Sequence, residues 1–440
     1  MIKKILNFQN REKRIIKNIF LSLIIRGVGV FISFYLMPTY MGFFTQDSTL
    51  GLWFTILAML SWFMTFDLGI GNGLRNNLAK PLLENNRIVI NKMISSSYAI
   101  ISLLVLVISL ISVIVFKFIN WNTLFKTTFD NALLYKVILI LFFSIMIQFI
   151  LKIVYPILYA LQKPNVVSLT ALASNILLLI GIKLLPILKE EDNLFNLSIL
   201  YLLTSIIPVL LTTFITYKFL LNNNFPKFNN IDIQLGKSIL SLGSMFFLIQ
   251  ILYLILSNTN EVFITATINS KDVVSYKIYN SLFNSVSMFF FILMTPMWSE
   301  ISSAYVNKEI KWLKNLNKKL NKLLMLSIIG LFMIALLSQY IIDFWLNEKT
   351  IQVNYFYIAI FCLSVFVSMW NSIVSSFANG MSKLKNQLIF MTIGVSIFLF
   401  LIYITKVYQN WILIVLANSL SLMPYCISQT IWLRKYFKNA

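Results

Sequence analysis

Apolar runs of roughly twenty residues, separated by short polar stretches, recur along the whole 440-residue chain. An α-helix needs about that length to cross the ~30 Å hydrocarbon core of a bilayer. Twelve such spans can be placed, at about 17–41, 50–74, 93–116, 132–160, 165–187, 196–220, 238–267, 273–298, 323–346, 354–378, 388–406 and 411–433. No connecting segment exceeds about 25 residues, which leaves no room for a soluble catalytic domain. The expected fold class is all-α, a polytopic membrane protein of about twelve transmembrane helices, since a helix satisfies its own backbone in lipid.

The spacing also predicts a repeat. Span starts in the second half follow those in the first by about 215 to 230 residues, which suggests two six-helix lobes of the same orientation, 1–222 and 223–440. In that register Phe66–Asn76, read FDLGIGNGLRN, is the counterpart of Thr295–Asn307, read TPMWSEISSAYVN.

Composition sharpens this picture. The chain is 59% hydrophobic and 12% charged, with a net charge of +21. In a soluble protein that charge would suggest nucleic acid. Here the bases sit mostly in short loops, so no nucleic-acid partner is expected. An inside N-terminus puts roughly 25 Lys and Arg in cytoplasmic segments and about 6 outside. An even span count then returns the C-terminus to the cytoplasm. The first apolar run is long and lacks a small-residue cleavage site, so it reads as a retained span and not a signal peptide. Histidine is absent, which removes imidazole relays, His metal ligands and Ser-His triads. Cys362 and Cys426 lie in apolar runs and read as small core residues. No cofactor and no metal are expected. The lysines of Ser299–Lys322 interleave with Ile310, Trp312, Leu313 and Leu320, a pattern that predicts an amphipathic helix on the anionic inner leaflet.

Polar residues inside the spans are the candidate chemistry, because they are costly unless they face protein or water. Asp67 and Arg75 flank three glycines, Gly69, Gly71 and Gly73. Either Gly69 and Gly73 form a small-xxx-small pair that lets helices pack closely, or the segment is a flexible cytoplasmic gate. No strand precedes these glycines, so they do not make a dinucleotide fingerprint. Arg26 lies about 10 Å into the first span, either snorkelling to the surface or facing a cavity. In the fourth span Gln148, Lys152, Tyr155 and Tyr159 share one helix face, and Pro156 can kink the helix. In the tenth span Ser364, Ser368, Asn371 and Ser375 repeat that spacing. The two faces read as walls of one wet cavity, or as interhelical hydrogen bonding. Glu261 and Lys277 read as a structural ion pair or as an ion-coupling site. Arg26, Lys152 and Arg75 against Asp67 make the N-terminal cavity cationic, which suits an anionic ligand.

With these residues in place, the chain resembles the polysaccharide flippases of the multidrug/oligosaccharidyl-lipid/polysaccharide exporter superfamily. Phe66–Lys80 is similar to that family's second-span signature, and Gln250–Ile264 and Val273–Phe283 to its seventh and eighth spans. Thr295–Lys314 is similar to its TPLWSA-type motif, with Glu300 where a small residue is usual. The resemblance implies the fold of multidrug and toxin extrusion (MATE) transporters, a V-shaped pair of six-helix bundles around a central cavity. It implies translocation of an undecaprenyl-diphosphate-linked oligosaccharide across the cytoplasmic membrane by alternating access, for surface polysaccharide such as O-antigen or capsule. It implies that arginines of the first two spans grip the diphosphate, which fits Arg26 and Arg75. Membrane lipids and other polysaccharide-assembly proteins are the further partners expected. Two alternatives stay open: a cation-coupled multidrug antiporter of the same fold, and a membrane glycosyl polymerase or ligase. The first needs acids in its N-terminal lobe, the second a large external loop.

Overall fold

A computed structural model of the chain describes residues 20, 21, 24, 25, 27–29, 31–33, 35, 36, 38–46, 49–57, 69–125, 127–257, 259, 260, 263, 264, 268, 272–346 and 351–439. Among the described residues there is no β-strand, and helix falls on every one of the twelve expected spans. Nine of these helices are long and apolar enough to cross a membrane. The protein is an all-α polytopic membrane protein.

After helical residues within Gly27–Phe43 and 49–57 come α1 (Ile70–Leu83), α2 (Arg87–Phe118), the short α3 (Trp121–Phe125), α4 (Asn131–Leu151), α5 (Val154–Ala160), α6 (Pro164–Leu184) and α7 (Glu190–Ile215). They are followed by α8 (Ile233–Ser257), α9 (Asp272–Val306), α10 (Ile310–Leu346), α11 (Tyr355–Gly380), α12 (Lys385–Tyr408) and α13 (Ile412–Asn439). Polar residues set the starts. Asn86 caps α2 by accepting from the Val89 N–H at 3.2 Å, and Asp130 caps α4 by accepting from the Ala132 N–H at 3.1 Å. Pro164 opens α6, where its missing N–H costs nothing. Glu190, Glu191 and Asp192 in the first turn of α7 complement the positive end of its dipole.

Several helices outrun the apolar spans that predicted them. The clearest case is α10. The lysine-rich stretch expected as a separate helix on the leaflet is instead the first third of one 37-residue helix. Trp312, Leu313, Leu320 and Leu324 make a buried stripe there, with Lys311, Lys314, Lys318 and Lys319 exposed around it. Lys314 donates to the Phe437 carbonyl at 3.2 Å, placing a cation at the negative end of α13. The amphipathic pattern is thus met by protein.

The chain forms two compact units, Met1–Ser244 and Met245–Ala440. The N-terminal unit holds two large apolar clusters. One gathers Trp53, Leu134, Leu141, Phe142, Leu194 and Leu197. The other gathers Ile70, Leu74, Ile94, Ile153, Ile157 and Ile239. In the C-terminal unit, Tyr279, Phe361 and Trp411 form a buried aromatic core, with Tyr279 and Phe361 stacked at 5.6 Å. Gly380 of α11 lies against Ile301 and the Trp298 carbonyl of α9, so the Thr295–Asn307 motif is a packing surface at that point.

The segment between α7 and α8 is tied to the first turns of α2. Asn91 donates to the Phe225 carbonyl at 2.7 Å and to the Asn224 amide oxygen at 2.5 Å, and accepts from Asn230 at 2.6 Å. The Lys227 N–H donates to Ser95 at 3.0 Å. Ser96 and the Asp232 backbone exchange bonds of 3.0 and 2.8 Å. Lys92 pairs with Asp232 at 3.2 Å. The Leu235 N–H first, and then Lys92, hold the Asp232 carboxyl below the usual carboxylate range. A lowered carboxylate contributes above its unfolded pKa and fails only as pH falls through the lowered value, so this clamp persists across neutral pH. Asn91→Leu would strand several polar partners, at about 1–3 kcal/mol of local stability. Trypsin should then cut after Lys227 about tenfold faster than in the parent protein. An unchanged rate would show that other bonds hold the segment.

Candidate functional site: a cationic cavity in the N-terminal unit

The fourth span does not run straight. Pro156 has no N–H to offer the Lys152 carbonyl one turn back, and its ring crowds that turn. The helix breaks there into α4 and α5. The Lys152 N–H still closes on Gln148 at 2.8 Å, but the Tyr155 N–H bonds back to Lys152 at 2.9 Å, a three-residue turn. The disruption expected from Pro156 is seen as an interruption of the regular helix one turn earlier than the proline itself.

Beside the break is a cavity of about 210 Å³, lined by Gly71, Asn72 and Arg75 of α1 and by Lys152, Tyr155 and Tyr159, among others. The helical spacings 71, 72, 75 and 152, 155, 159 each present one face to it. Arg75 is only 5% exposed, and its guanidinium carbon lies 4.8 Å from the Tyr159 ring centroid. A cation over a desolvated aromatic face is held by about 2 kcal/mol, so Tyr159 contributes to orienting Arg75. None of the described residues lining the cavity is acidic.

The three glycines have three different tasks. Gly69 precedes α1 at φ 67°, a left-handed conformation that a side chain resists. Gly71 lines the cavity. Gly73 meets α8, where a β-carbon would stand 2.5 Å from the Ile239 carbonyl oxygen and 3.1 Å from the Gly243 nitrogen.

Other predicted positions lie elsewhere. Gln148, before the break, is buried and donates to Ser144 at 3.3 Å, which in turn meets Ser205 of α7 at 3.0 Å. Asn371 is buried in the C-terminal unit, where its amide oxygen accepts from Ser375 at 3.3 Å. Ser375 also bonds Tyr425 of α13 at 3.3 Å and accepts from Gln387 of α12 at 3.3 Å. The Asn371 contact lies within α11, while those of Ser375 reach α12 and α13. Lys277 is exposed on α9. Arg26, Asp67 and Glu261 lie outside the described residues.

No protein-family model matches the chain. Two curated proteins are similar over most of its length. A putative O-antigen export protein of Yersinia pseudotuberculosis is 23% identical over 368 residues, covering 82% of each chain. A putative O-antigen transporter of Salmonella typhi is 22% identical over 350 residues, covering 76% of each. Among solved structures, a multidrug-resistance MATE family transporter of the MOP superfamily in an outward-facing conformation has TM-score 0.75 at 13% identity, with 97% of this chain and 96% of that one covered. The Vibrio cholerae MATE transporter VcmN in its bent form has TM-score 0.74 at 13% identity, with 96% and 97% covered. A superfamily transporter from Pyrococcus furiosus has TM-score 0.73 at 14% identity, with 97% and 96% covered, and its binding pocket is described as reversed in polarity. This chain has the MATE transporter fold, and the resemblance to polysaccharide exporters carried by its motifs extends to relatives named for O-antigen export.

Proposed function

We propose that this protein is a flippase. It carries a lipid-diphosphate-linked oligosaccharide, the undecaprenyl-diphosphate-linked repeat unit of a surface polysaccharide, across the cytoplasmic membrane by alternating access. No bond is made or broken. The observation that carries this reading is the cavity with Arg75 and Lys152 on its wall and no acid among its described lining. Two fixed cations in a low-dielectric pocket favour an anion, and a guanidinium can grip two phosphate oxygens at once. Size supports the same assignment. Pockets for whole drug-sized ligands run to about 300–1,000 Å³, so about 210 Å³ suits a diphosphate better than a sugar chain. The names of the two bacterial relatives point to the same class of cargo.

One observation favours a second reading. One of the solved neighbours is a multidrug-resistance transporter of this fold, which makes a cation-coupled drug antiporter the alternative. A cationic drug needs acids where this cavity has Arg75 and Lys152. The pocket reported as reversed in the Pyrococcus furiosus protein shows that pocket polarity varies on this fold.

Deleting the gene tests the assignment. The expected result is a lipid-diphosphate oligosaccharide accumulating on the cytoplasmic face, with drug sensitivity unchanged. Drug sensitivity with normal lipid turnover would select the antiporter. Orientation is checked alongside. Cysteines at Thr128 and Asp192 should label from outside, and cysteines at Asn85 and Lys319 should stay silent.

A further inference from the structure

Of the nine apolar helices among the described residues, α2 is the least covered, with 11% of its most apolar window buried inside the protein. Leu103, Leu106, Leu110, Ile114 and Phe118 are exposed along one face of it. With 32 residues at 1.5 Å each it is about 48 Å long, so its ends pass the ~30 Å hydrocarbon layer into the headgroup zones. At the Phe118 end, where α2, α3 and α4 meet, lies a second cavity of about 430 Å³. Lys117, Phe118, Asn120, Trp121, Asn131 and Tyr135 line it.

The hydrogen-bond chemistry of this cavity is one-sided. The Asn120 amide oxygen accepts from the Thr123 N–H at 3.2 Å, capping α3. The Asn131 amide oxygen accepts from the Asn122 amide at 3.0 Å. Each oxygen already accepts one bond, the two amides also carry N–H groups, and Lys117 adds the one charged group of the described lining, an ammonium. Nearby acids are engaged with backbone: Asp130 accepts from the Ala132 N–H and Glu191 from the Asp130 N–H, and neither lines the cavity. A single cation with amide donors suits a singly charged anion, while the Arg75 cavity holds two cations.

We infer that this cavity binds the phosphate headgroup of an anionic phospholipid, with an acyl chain lying along the exposed stripe of α2. Charge complementarity identifies the headgroup, and continuity of the cavity with the stripe identifies the chain. The site is separate from the Arg75 cavity and does not depend on the transport reading.

Native mass spectrometry of the full chain, released from detergent with phosphatidylglycerol or phosphatidylcholine of identical acyl chains, tests it. The parent protein should retain phosphatidylglycerol selectively. Lys117→Gln should lower that retention about fivefold, the effect of one lysine at an anionic lipid surface. Lys136→Gln, an exposed lysine on α4 outside the cavity, should leave it unchanged. Thermal midpoints without added lipid should agree among the three proteins. Equal retention of the two lipids, or equal effects of the two substitutions, would overturn the proposal. Preferential retention of a polyprenyl diphosphate at Lys117 would overturn the choice of a phospholipid.

Discussion

Gly73→Leu is expected to leave almost no folded protein in the membrane, whereas Gly71→Leu, two residues earlier, should leave folded protein that does not transport. Glycine in a helix interior is about 1 kcal/mol worse than alanine, so on propensity alone both changes should help. Packing decides otherwise at position 73. A β-carbon there would stand 2.5 Å from the Ile239 carbonyl oxygen, a backbone atom that no rotamer can move aside. Gly243 on the facing helix is also close, with the Gly69 carbonyl oxygen 3.0 Å from where its β-carbon would be. Overpacking costs about 1–3 kcal/mol where side chains can yield; against backbone, with a whole leucine, the cost approaches the roughly 5–15 kcal/mol that holds a domain together. Gly71 faces the cavity instead, and a leucine there would occupy the space beside Arg75 and Lys152. Fluorescence-detected size exclusion gives the folded amount, and transport per folded molecule gives the function. Equal losses of folded protein in both variants would make Gly71 a packing glycine as well.

Arg75→Ala is expected to cut transport of a lipid-linked diphosphate in proteoliposomes at least thirtyfold while the amount of folded protein holds. Losing the charged partner of a buried, hydrogen-bonded anion costs about 2–5 kcal/mol, thirtyfold or more. Fluorescence-detected size exclusion reads the folded amount separately, so that transport is scored per folded molecule. Arg75→Lys keeps the charge but not the planar fork, and should retain partial transport. Tyr159→Leu removes the aromatic face 4.8 Å from the guanidinium carbon. It should weaken transport less, by the roughly 0.5–2 kcal/mol of a cation–π contact. Should Arg75→Ala transport normally, the cationic cavity is not where the diphosphate binds.

Much of this was legible in the sequence, and the gaps have physical reasons. The twelve spans follow from helix length and bilayer thickness alone. Pro156 announced a break, and Lys152, Tyr155 and Tyr159 do line one cavity wall between them. Gln148 fits the same helical spacing but turns to Ser144, and its neighbour Phe149 takes the place on the cavity wall. The stacking of Arg75 on Tyr159 joins helices distant in sequence, and periodicity within one helix carries no trace of such a pairing. For the glycines, composition left a choice between packing and bending. The structure divides the tasks by position: a turn at Gly69, a cavity wall at Gly71 and a helix contact at Gly73. The Asn91 clamp left no signal, because asparagines and serines at a helix start read as ordinary caps until the strap they hold is seen. The long start of α10 was missed because hydropathy registers only the apolar part of a helix.

The bare face of α2 also makes the protein responsive to bilayer thickness. Its apolar stretch exceeds the hydrocarbon layer of an average membrane, and such a mismatch costs a fraction of a kcal/mol per Å. Its first turns are pinned by the Asn91 clamp, while Leu103, Leu106, Leu110, Ile114 and Phe118 are left uncovered by protein. A thicker membrane therefore matches α2 better than a thin one, and the energy difference acts on this one helix more than on its well-covered neighbours. Reconstituted in lipids of graded chain length, the protein should partition toward the thicker domains. Membrane thickness thereby becomes a sorting signal written into a single helix.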